Sequence, residues 1–306
     1  MSTELQNLLA LLASQAETKT LPLAERRRID DEAGDQFPLP EGLEVEPIVT
    51  TDFKGESVKA SGARENAALL YLHGGAYVFC SSRSHRHLVA ALSEATDFSA
   101  FALDYRLAPE NPFPAAVEDS VAAYRWLLDQ GFAPNRIAIA GDSAGGGLTI
   151  ATMLSLREAG LPLPAAGVCL SPWVDLTLAG ASYTANAEAI ATRDRLAGYV
   201  ELYLKDAADV QHPLVSPVFA DLKGLPPLLI QVGAADPFYD DSISLDAAAK
   251  ACGVETQLEI WPEMIHVWHY FHPMLTEGRQ AIARIGEFVK TKTADVRQAA
   301  SLSEAL

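Results

Sequence analysis

Short apolar runs alternate with helical patterns from about residue 68 towards the end of the chain. Six of these runs are predicted to be strands, at residues 68–72, 99–103, 136–140, 166–170, 228–232 and 257–261. Apolar residues at helical spacing lie between them, for example at 115–128, 146–158 and 242–251. Strands that alternate with helices form a mostly parallel sheet with helices on both faces. The pattern therefore predicts an α/β fold.

Two segments with helical patterns lie outside this alternation. The first covers residues 1 to about 45, and the second, at about 178–212, is polar and alanine-rich and lies between two predicted strands. Helices added to an α/β sheet commonly cover the site at the strand ends. We therefore expect a catalytic domain at 46–306, with a helical cap built from residues 1–45 and the insertion at 178–212.

The composition is that of a folded globular protein. Of the 306 residues, 49% are hydrophobic and 21% are charged, which argues against a disordered or fibrous chain. The formal net charge of −17 repels polyanions, and the basic triplet at 26–28 lies among acidic residues. No nucleic-acid partner is expected.

The cysteines and the apolar segments bear on the cellular location. Cys80, Cys169 and Cys252 are widely spaced and form no CxxC pattern, so neither a disulfide framework nor a metal site is indicated. No segment reaches the about 18 to 20 apolar residues that span a bilayer. The leucines near the N-terminus follow helical spacing, and an amphipathic helix is expected there rather than a leader peptide. A cytoplasmic location without membrane insertion is the prediction.

The strongest chemical signal is the pentapeptide GDSAG at 141–145, which follows a predicted strand and precedes a predicted helix. This is a G-x-S-x-G nucleophile elbow in its strand–turn–helix context. Small neighbours are needed because the serine occupies a strained turn that the backbone passes closely. A glycine turn that only packs the helix on the sheet is the alternative. The context favours Ser143 as a nucleophile.

A second signal is the sequence HGGA at 73–76, directly after the first predicted parallel strand. Acyl transfer creates a tetrahedral oxyanion that needs preorganised N–H donors about 3 Å away. Consecutive residues without bulky side chains let backbone amides point into a site, and the N–H of Ala144 would join them. Alone, this segment is typical of a tight turn, but together with the elbow it indicates an oxyanion loop.

These motifs, with the sequence DYRLAPE at 104–110, resemble the bacterial hormone-sensitive-lipase-like esterases with a GDSAG elbow. The resemblance covers about residues 68–290 and implies an α/β-hydrolase fold. It also implies that the amides of Gly74, Gly75 and Ala144 form the oxyanion hole. Ala76 replaces a glycine of many relatives and is a further candidate donor, and the sequence leaves open which loop amide donates most.

The acid and the base of a triad are expected downstream, in the order Ser, Asp, His. Asp236 precedes a proline at the end of a predicted strand and matches the family pattern, whereas Asp240 and Asp241 are expected to cap the next helix. His266 follows the last predicted strand and matches the family's histidine. His269, three residues on, is expected on the following helix in a packing or exposed role.

The predicted activity is that of a serine carboxylesterase acting on short- to medium-chain esters, with no cofactor or metal. The expected partner is a small ester, with a second copy of the chain as an option. Two alternatives stay open: an amidase or peptidase with the same triad, and a non-catalytic small-molecule receptor on the same scaffold.

Overall fold

The computed structural model describes residues 1–14, 21–186, 191–205 and 209–293. Within these ranges the strands are β1 (Glu44–Val49), β2 (Lys54–Lys59), β3 (Arg64–Leu72), β4 (Phe98–Asp104), β5 (Ile137–Asp142), β6 (Ala166–Leu170), β7 (Leu228–Gly233) and β8 (Thr256–Trp261). The helices are α1 (Thr3–Ser14), α2 (Leu23–Gly34), α3 (Ser82–Thr96), α4 (Ala115–Asp129), α5 (Ala144–Glu158), α6 (Ser182–Ala185), α7 (Arg193–Leu204), α8 (Tyr239–Ala251) and α9 (Thr276–Thr293).

The strands form one sheet in the order β1-β2-β4-β3-β5-β6-β7-β8. Strands β3 to β8 are parallel, while β1 pairs antiparallel with β2, and β2 antiparallel with β4. The predicted mostly parallel α/β fold is confirmed. Because the strands are parallel, the carboxyl ends of β5, β7 and β8 lie at one edge of the sheet, where ligands bind in open α/β sheets.

All six predicted strands are present, but the hairpin of β1 and β2 was not predicted. Residues of β1 are exposed or half-buried, so they carry no apolar alternation that would distinguish a strand. Strand β5 begins at Ile137, one residue after the predicted start, because Pro134–Arg136 form a turn of 3-10 helix. Helix α5 begins at Ala144, two residues before the predicted start.

Apolar side chains cover both faces of the sheet. On one face, α3 and α9 pack residues such as Leu88 and Ile285 against the strands. On the other face, Tyr124 of α4, Leu148 of α5 and Leu245 of α8 belong to the larger core cluster. Every residue of β5 is buried, as expected for a central parallel strand.

The N-terminal helix packs against the sheet domain next to the loop after β8. Leu5 and Leu8 are fully buried in a cluster with Met264, Ile265 and Trp268. The amphipathic helix predicted for this segment is therefore confirmed. None of the helices in the described residues has the length and apolar character needed to cross a bilayer.

The insertion between β6 and β7 contributes α6 and α7. Tyr203 of α7 stacks on Tyr77, with ring centroids 3.9 Å apart and ring planes 6° from parallel. The hydroxyl of Tyr183 in α6 donates a hydrogen bond to Asp241 at 2.7 Å. These contacts fix the insertion over the carboxyl edge of the sheet.

Candidate active site

Ser143 lies in a strained turn between β5 and α5. Its backbone angles, φ 53° and ψ −120°, place it in a region that residues with a side chain rarely adopt. A Cβ atom at Gly145 would come within 1.9 Å of the carbonyl oxygen of Leu72. The turn thus requires a glycine two residues after the serine, which is the physical content of the GDSAG pattern.

The structure brings the three predicted triad residues together. The Nε2 atom of His266 lies 3.0 Å from the Oγ atom of Ser143. The Nδ1 atom of His266 lies 3.1 Å and 3.2 Å from the two carboxylate oxygens of Asp236. The distances are those of hydrogen bonds between a hydroxyl, an imidazole and a carboxylate.

Asp236 is held in place by its own chain. It follows β7 and is fully buried. Its Oδ1 accepts a hydrogen bond from the backbone N–H of Phe238 at 2.8 Å, which closes a tight turn around Pro237. The carboxylate therefore has a fixed direction towards His266.

Asp240 and Asp241 do not cap the next helix, in contrast to our expectation. Both lie inside the first turn of α8, and the N-cap residue that precedes this helix, Phe238, makes no side-chain capping hydrogen bond. Asp240 accepts from the backbone N–H of Ser182 at 3.0 Å, and Asp241 accepts from that of Val174 at 2.9 Å. Their carboxylates instead hold the insertion against α8.

The loop after β8 presents the imidazole of His266 to the serine. The next residue, Val267, adopts a left-handed conformation with φ 47°, and the ring of Phe238 lies 4.7 Å from the imidazole ring. His269 is not on an α-helix but in a short turn of 3-10 helix, Trp268–Phe271. It is buried, with Nε2 2.8 Å from the Oε1 of Gln231, so it serves in packing.

The oxyanion loop turns sharply after β3. Gly75, Ala76 and Tyr77 have φ angles of 101°, 54° and 62°. Within the described residues, the N–H groups of Gly75, Ala76 and Ala144 have no hydrogen-bond acceptor, so they are available to a ligand. In contrast to our expectation, the N–H of Gly74 is already engaged: it donates to Oδ1 of Asp142 at 3.0 Å.

A cavity of about 700 Å³ opens over Ser143. Its wall includes Leu11, Leu12 and Phe37 from the N-terminal segment and Leu196 and Tyr199 from α7. Both segments that the sequence placed outside the α/β alternation thus contribute to the same cavity.

The three residues after Ala76 in the oxyanion loop differ in whether they face this cavity. Phe79 lines it, whereas Tyr77 and Val78 are buried in the core. The guanidinium of Arg26 lies 5.9 Å from the ring centroid of Phe79, and its Nε donates to Oδ1 of Asp30 at 2.8 Å. Burial raises the pKa of Asp30 in spite of this ion pair. This part of the wall therefore carries the Arg26–Asp30 ion pair beside the aromatic ring of Phe79.

Sequence reasoning did not single out two further residues of the site, Asp142 and His85. The Nε2 of His85 lies 3.4 Å from Oδ2 of Asp142, and both side chains are buried. The only signal in the sequence was that Asp142 is a charged residue in the GDSAG motif, whose other residues are small. The motif does not indicate which residues Asp142 contacts.

A family model of the α/β hydrolase fold matches residues 69–270. The chain belongs to this family. It is 46% identical to an acetyl-hydrolase of Streptomyces hygroscopicus over 298 residues, which cover 96% of this chain and 98% of the relative. It is also 34% identical to an esterase of Acinetobacter venetianus, over 85% of this chain and 86% of the relative.

Solved structures give the same result. A crystal structure of an esterase from the bacterial hormone-sensitive lipase family superposes with a TM-score of 0.93 at 46% identity, covering 96% of this chain and 99% of that one. EstE5 soaked with p-nitrophenyl butyrate superposes with a TM-score of 0.91 at 48% identity, covering 96% and 100%. Within the α/β hydrolases, this protein is a serine carboxylesterase of the bacterial hormone-sensitive-lipase branch.

Proposed function

We propose that Ser143, His266 and Asp236 are the nucleophile, the general base and the orienting acid of ester hydrolysis. The observation that carries this assignment is the continuous chain of hydrogen-bond distances, 3.0 Å from serine to imidazole and 3.1 Å from imidazole to carboxylate. In acylation, Ser143 Oγ attacks the ester carbonyl carbon and His266 accepts the hydroxyl proton. Collapse of the tetrahedral intermediate breaks the bond to the leaving oxygen, which takes that proton from His266.

Deacylation repeats these steps with water. His266 accepts a proton from the attacking water and returns it to Ser143 Oγ as the acid product leaves. Asp236 stabilises the imidazolium form of His266 in both halves of the reaction. No cofactor or metal enters this mechanism.

We assign the oxyanion hole to the N–H groups of Gly75, Ala76 and Ala144. The supporting observation is that these three amides lack an acceptor in the described part of the chain, whereas the amide of Gly74 donates to Asp142. Ala144 is the first residue of α5, where N–H groups are unsatisfied within a helix. Gly74 is therefore left out of the proposed set of donors, and Ala76 enters it.

Treatment with a fluorophosphonate and peptide mass spectrometry tests the nucleophile. The adduct is expected on Ser143, and Ser143→Ala is expected to lower kcat by about 10⁶-fold, the loss seen when a triad serine is removed. Ser155→Ala is a matched control, because its hydroxyl, on the helix that follows Ser143, donates to the carbonyl of Ala151. An adduct on another residue, with parallel loss of activity, would refute the assignment.

We further propose that residues 1–45 and the insertion at 178–212 act as one cap that selects acyl chains of about four to eight carbons. The support is that both segments line the cavity over Ser143. The similar protein EstE5 was soaked with a butyrate ester, which lies in this range. Rates on p-nitrophenyl esters from acetate to palmitate test the proposal, and equal rates on palmitate and butyrate would contradict it.

We infer a cytoplasmic location from the cysteines, since Cys80, Cys169 and Cys252 are all free thiols. Cell fractionation tests this inference. A homodimer and the absence of nucleic-acid binding remain predictions, to be tested by light scattering and by mobility shift.

A further inference from the structure

The carboxylate of Asp142 lies between the nucleophile turn and the oxyanion loop. Asp142 directly precedes Ser143 in the chain, and its side chain is buried. Oδ1 accepts hydrogen bonds from the hydroxyl of Tyr71 at 2.6 Å and from the N–H of Gly74 at 3.0 Å. Oδ2 lies 3.4 Å from Nε2 of His85. One side chain thus connects β3, the loop after it, α3 and the nucleophile turn.

Asp142 is ionised at neutral pH. Burial by itself would raise the pKa of Asp142, but the neighbouring His85 and the hydrogen bond from Tyr71 lower it to about 2. Hydrogen bonds to an ionised acceptor are about twice as strong as those between neutral groups. The bond from the Gly74 amide is therefore a firm anchor for the loop.

The loop lies directly against this carboxylate. A Cβ atom at residue 74 would come within 2.3 Å of Oδ2 of Asp142, so only glycine allows the approach. The carbonyl of Gly74 is held on its other side by Nδ1 of His73 at 2.7 Å and the hydroxyl of Tyr105 at 3.3 Å. In a planar trans peptide, the N–H of the next residue points opposite to this carbonyl. Fixing Gly74 therefore fixes the direction of the N–H of Gly75.

We propose that Asp142 is a positioning residue that holds the oxyanion loop so that its free amides face the same point as the amide of Ala144. This inference rests on the proposed function of Ser143, and it concerns transition-state stabilisation rather than substrate contact. Losing the anchor should weaken the stabilisation of the oxyanion more than the binding of the ester.

The test is a double-mutant cycle of Asp142→Ala and Gly74→Ala. Two quantities are measured: kcat and KM for p-nitrophenyl butyrate, and the inhibition constant of an alkyl trifluoromethyl ketone, whose adduct carries an oxyanion. Asp142→Ala should lower kcat and the inhibitor affinity by a similar factor of about 10², the loss typical of one oxyanion donor, with little change in KM.

Asp142→Asn is the conservative variant. Its side-chain oxygen still accepts from Tyr71 and Gly74, so it should retain activity within about tenfold of the wild type, as expected for a neutral acceptor. Asp246→Asn is the matched control: it removes a buried carboxylate that binds Thr256 and Lys250, remote from the loop, and should leave the inhibitor affinity unchanged.

Gly74→Ala alone forces its methyl group into the carboxylate. If the two residues act through each other, the fold-decrease in kcat of the double variant is smaller than the product of the fold-decreases of the two single variants. Independent losses that multiply in full would overturn the proposal, as would an Asp142→Ala variant with unchanged inhibitor affinity. Should Asp142→Ala not fold, Asp142→Ser replaces it in the cycle.

Fluorophosphonate titration of each variant separates this proposal from the triad assignment. A wild type that is not labelled on Ser143 contradicts the triad. Normal labelling of Ser143 combined with fully multiplicative losses contradicts only the role of Asp142.

Discussion

The hydroxyl of Ser171 accepts a hydrogen bond from the backbone N–H of Val267 at 3.1 Å. Ser171 is fully buried directly after β6, and Val267 directly follows His266. The backbone N–H of Ser171 in turn donates to the carbonyl of Gln231 at 2.7 Å. Two central strands thereby fix the loop that carries the imidazole.

Ser171→Ala is expected to reduce both stability and turnover. It leaves a buried N–H without an acceptor, which costs about 1–3 kcal/mol in the free energy of unfolding. A displaced imidazole should lower kcat by up to about 10²-fold while KM stays the same. Urea unfolding and steady-state kinetics measure the two effects, with Ser155→Ala as control. A loss of stability with unchanged kcat would show that Ser171 does not act through His266.

Asp236→Asn should lower kcat by up to about 10⁴-fold at neutral pH, because an amide cannot orient and stabilise the imidazolium. Asp241→Asn should chiefly lower stability, since its carboxylate accepts from Val174 ahead of the insertion and from Tyr183 within it. Asp240→Asn serves as a second comparison. A loss of kcat at Asp240 as large as that at Asp236 would reassign the acid.

Stability should fall as the solution is acidified below pH 6.5. Burial lowers the pKa of His73 and His272 to about 4 and that of His87 and His269 to about 3. Unfolding restores the ordinary value of about 6.5, so the unfolded chain binds more protons between these limits. The contribution of these histidines to the free energy of unfolding is therefore fully present above their pKa in the unfolded chain. It is lost as the pH falls towards their pKa values in the folded protein.

Urea unfolding between pH 8 and pH 5 measures this dependence. Each buried histidine contributes up to about 1.4 kcal/mol per pH unit. His87→Gln should reduce the slope by about that amount, whereas Ser155→Ala, which changes no titratable group, should leave it unchanged. An equal slope in the two variants would contradict the prediction.

Leu8→Ala should destabilise the protein by about 2–5 kcal/mol, the cost of a cavity at a fully buried leucine. Because Leu8 packs in the same cluster as Ile265, next to His266, kcat should fall together with stability. Asn7→Ala, at an exposed position on the same helix and outside the cavity wall, is the control. Thermal unfolding and kcat measured well below the unfolding midpoint decide the outcome.

The sequence was informative wherever function depends on local order along the chain. Ser143, Asp236 and His266 follow three parallel strands, and the strand pattern, the triad order and the resemblance to the esterases together predicted that they lie close to one another. The direction of the Gly74 amide could not be predicted, because it depends on a carboxylate 68 residues away in the chain.

The hairpin of β1 and β2 was missed because its exposed edge strand carries no apolar alternation. The roles of Asp240 and Asp241 were missed for a related reason: helix capping is a local interaction, while their actual partners lie in the insertion and in the loop before it.

Helix α1 contacts two different parts of the enzyme along its length, and Leu12 also packs against the cluster of Leu5 and Leu8. Leu5 and Leu8 support the loop of His266, while Leu11 and Leu12, one to two turns further on, form part of the cavity wall. Diversification of the enzyme for new esters can therefore target the second pair while leaving the first unchanged. A library confined to Leu11 and Leu12 should yield altered substrate profiles among folded, active clones, whereas randomising Leu5 and Leu8 should mostly yield inactive ones.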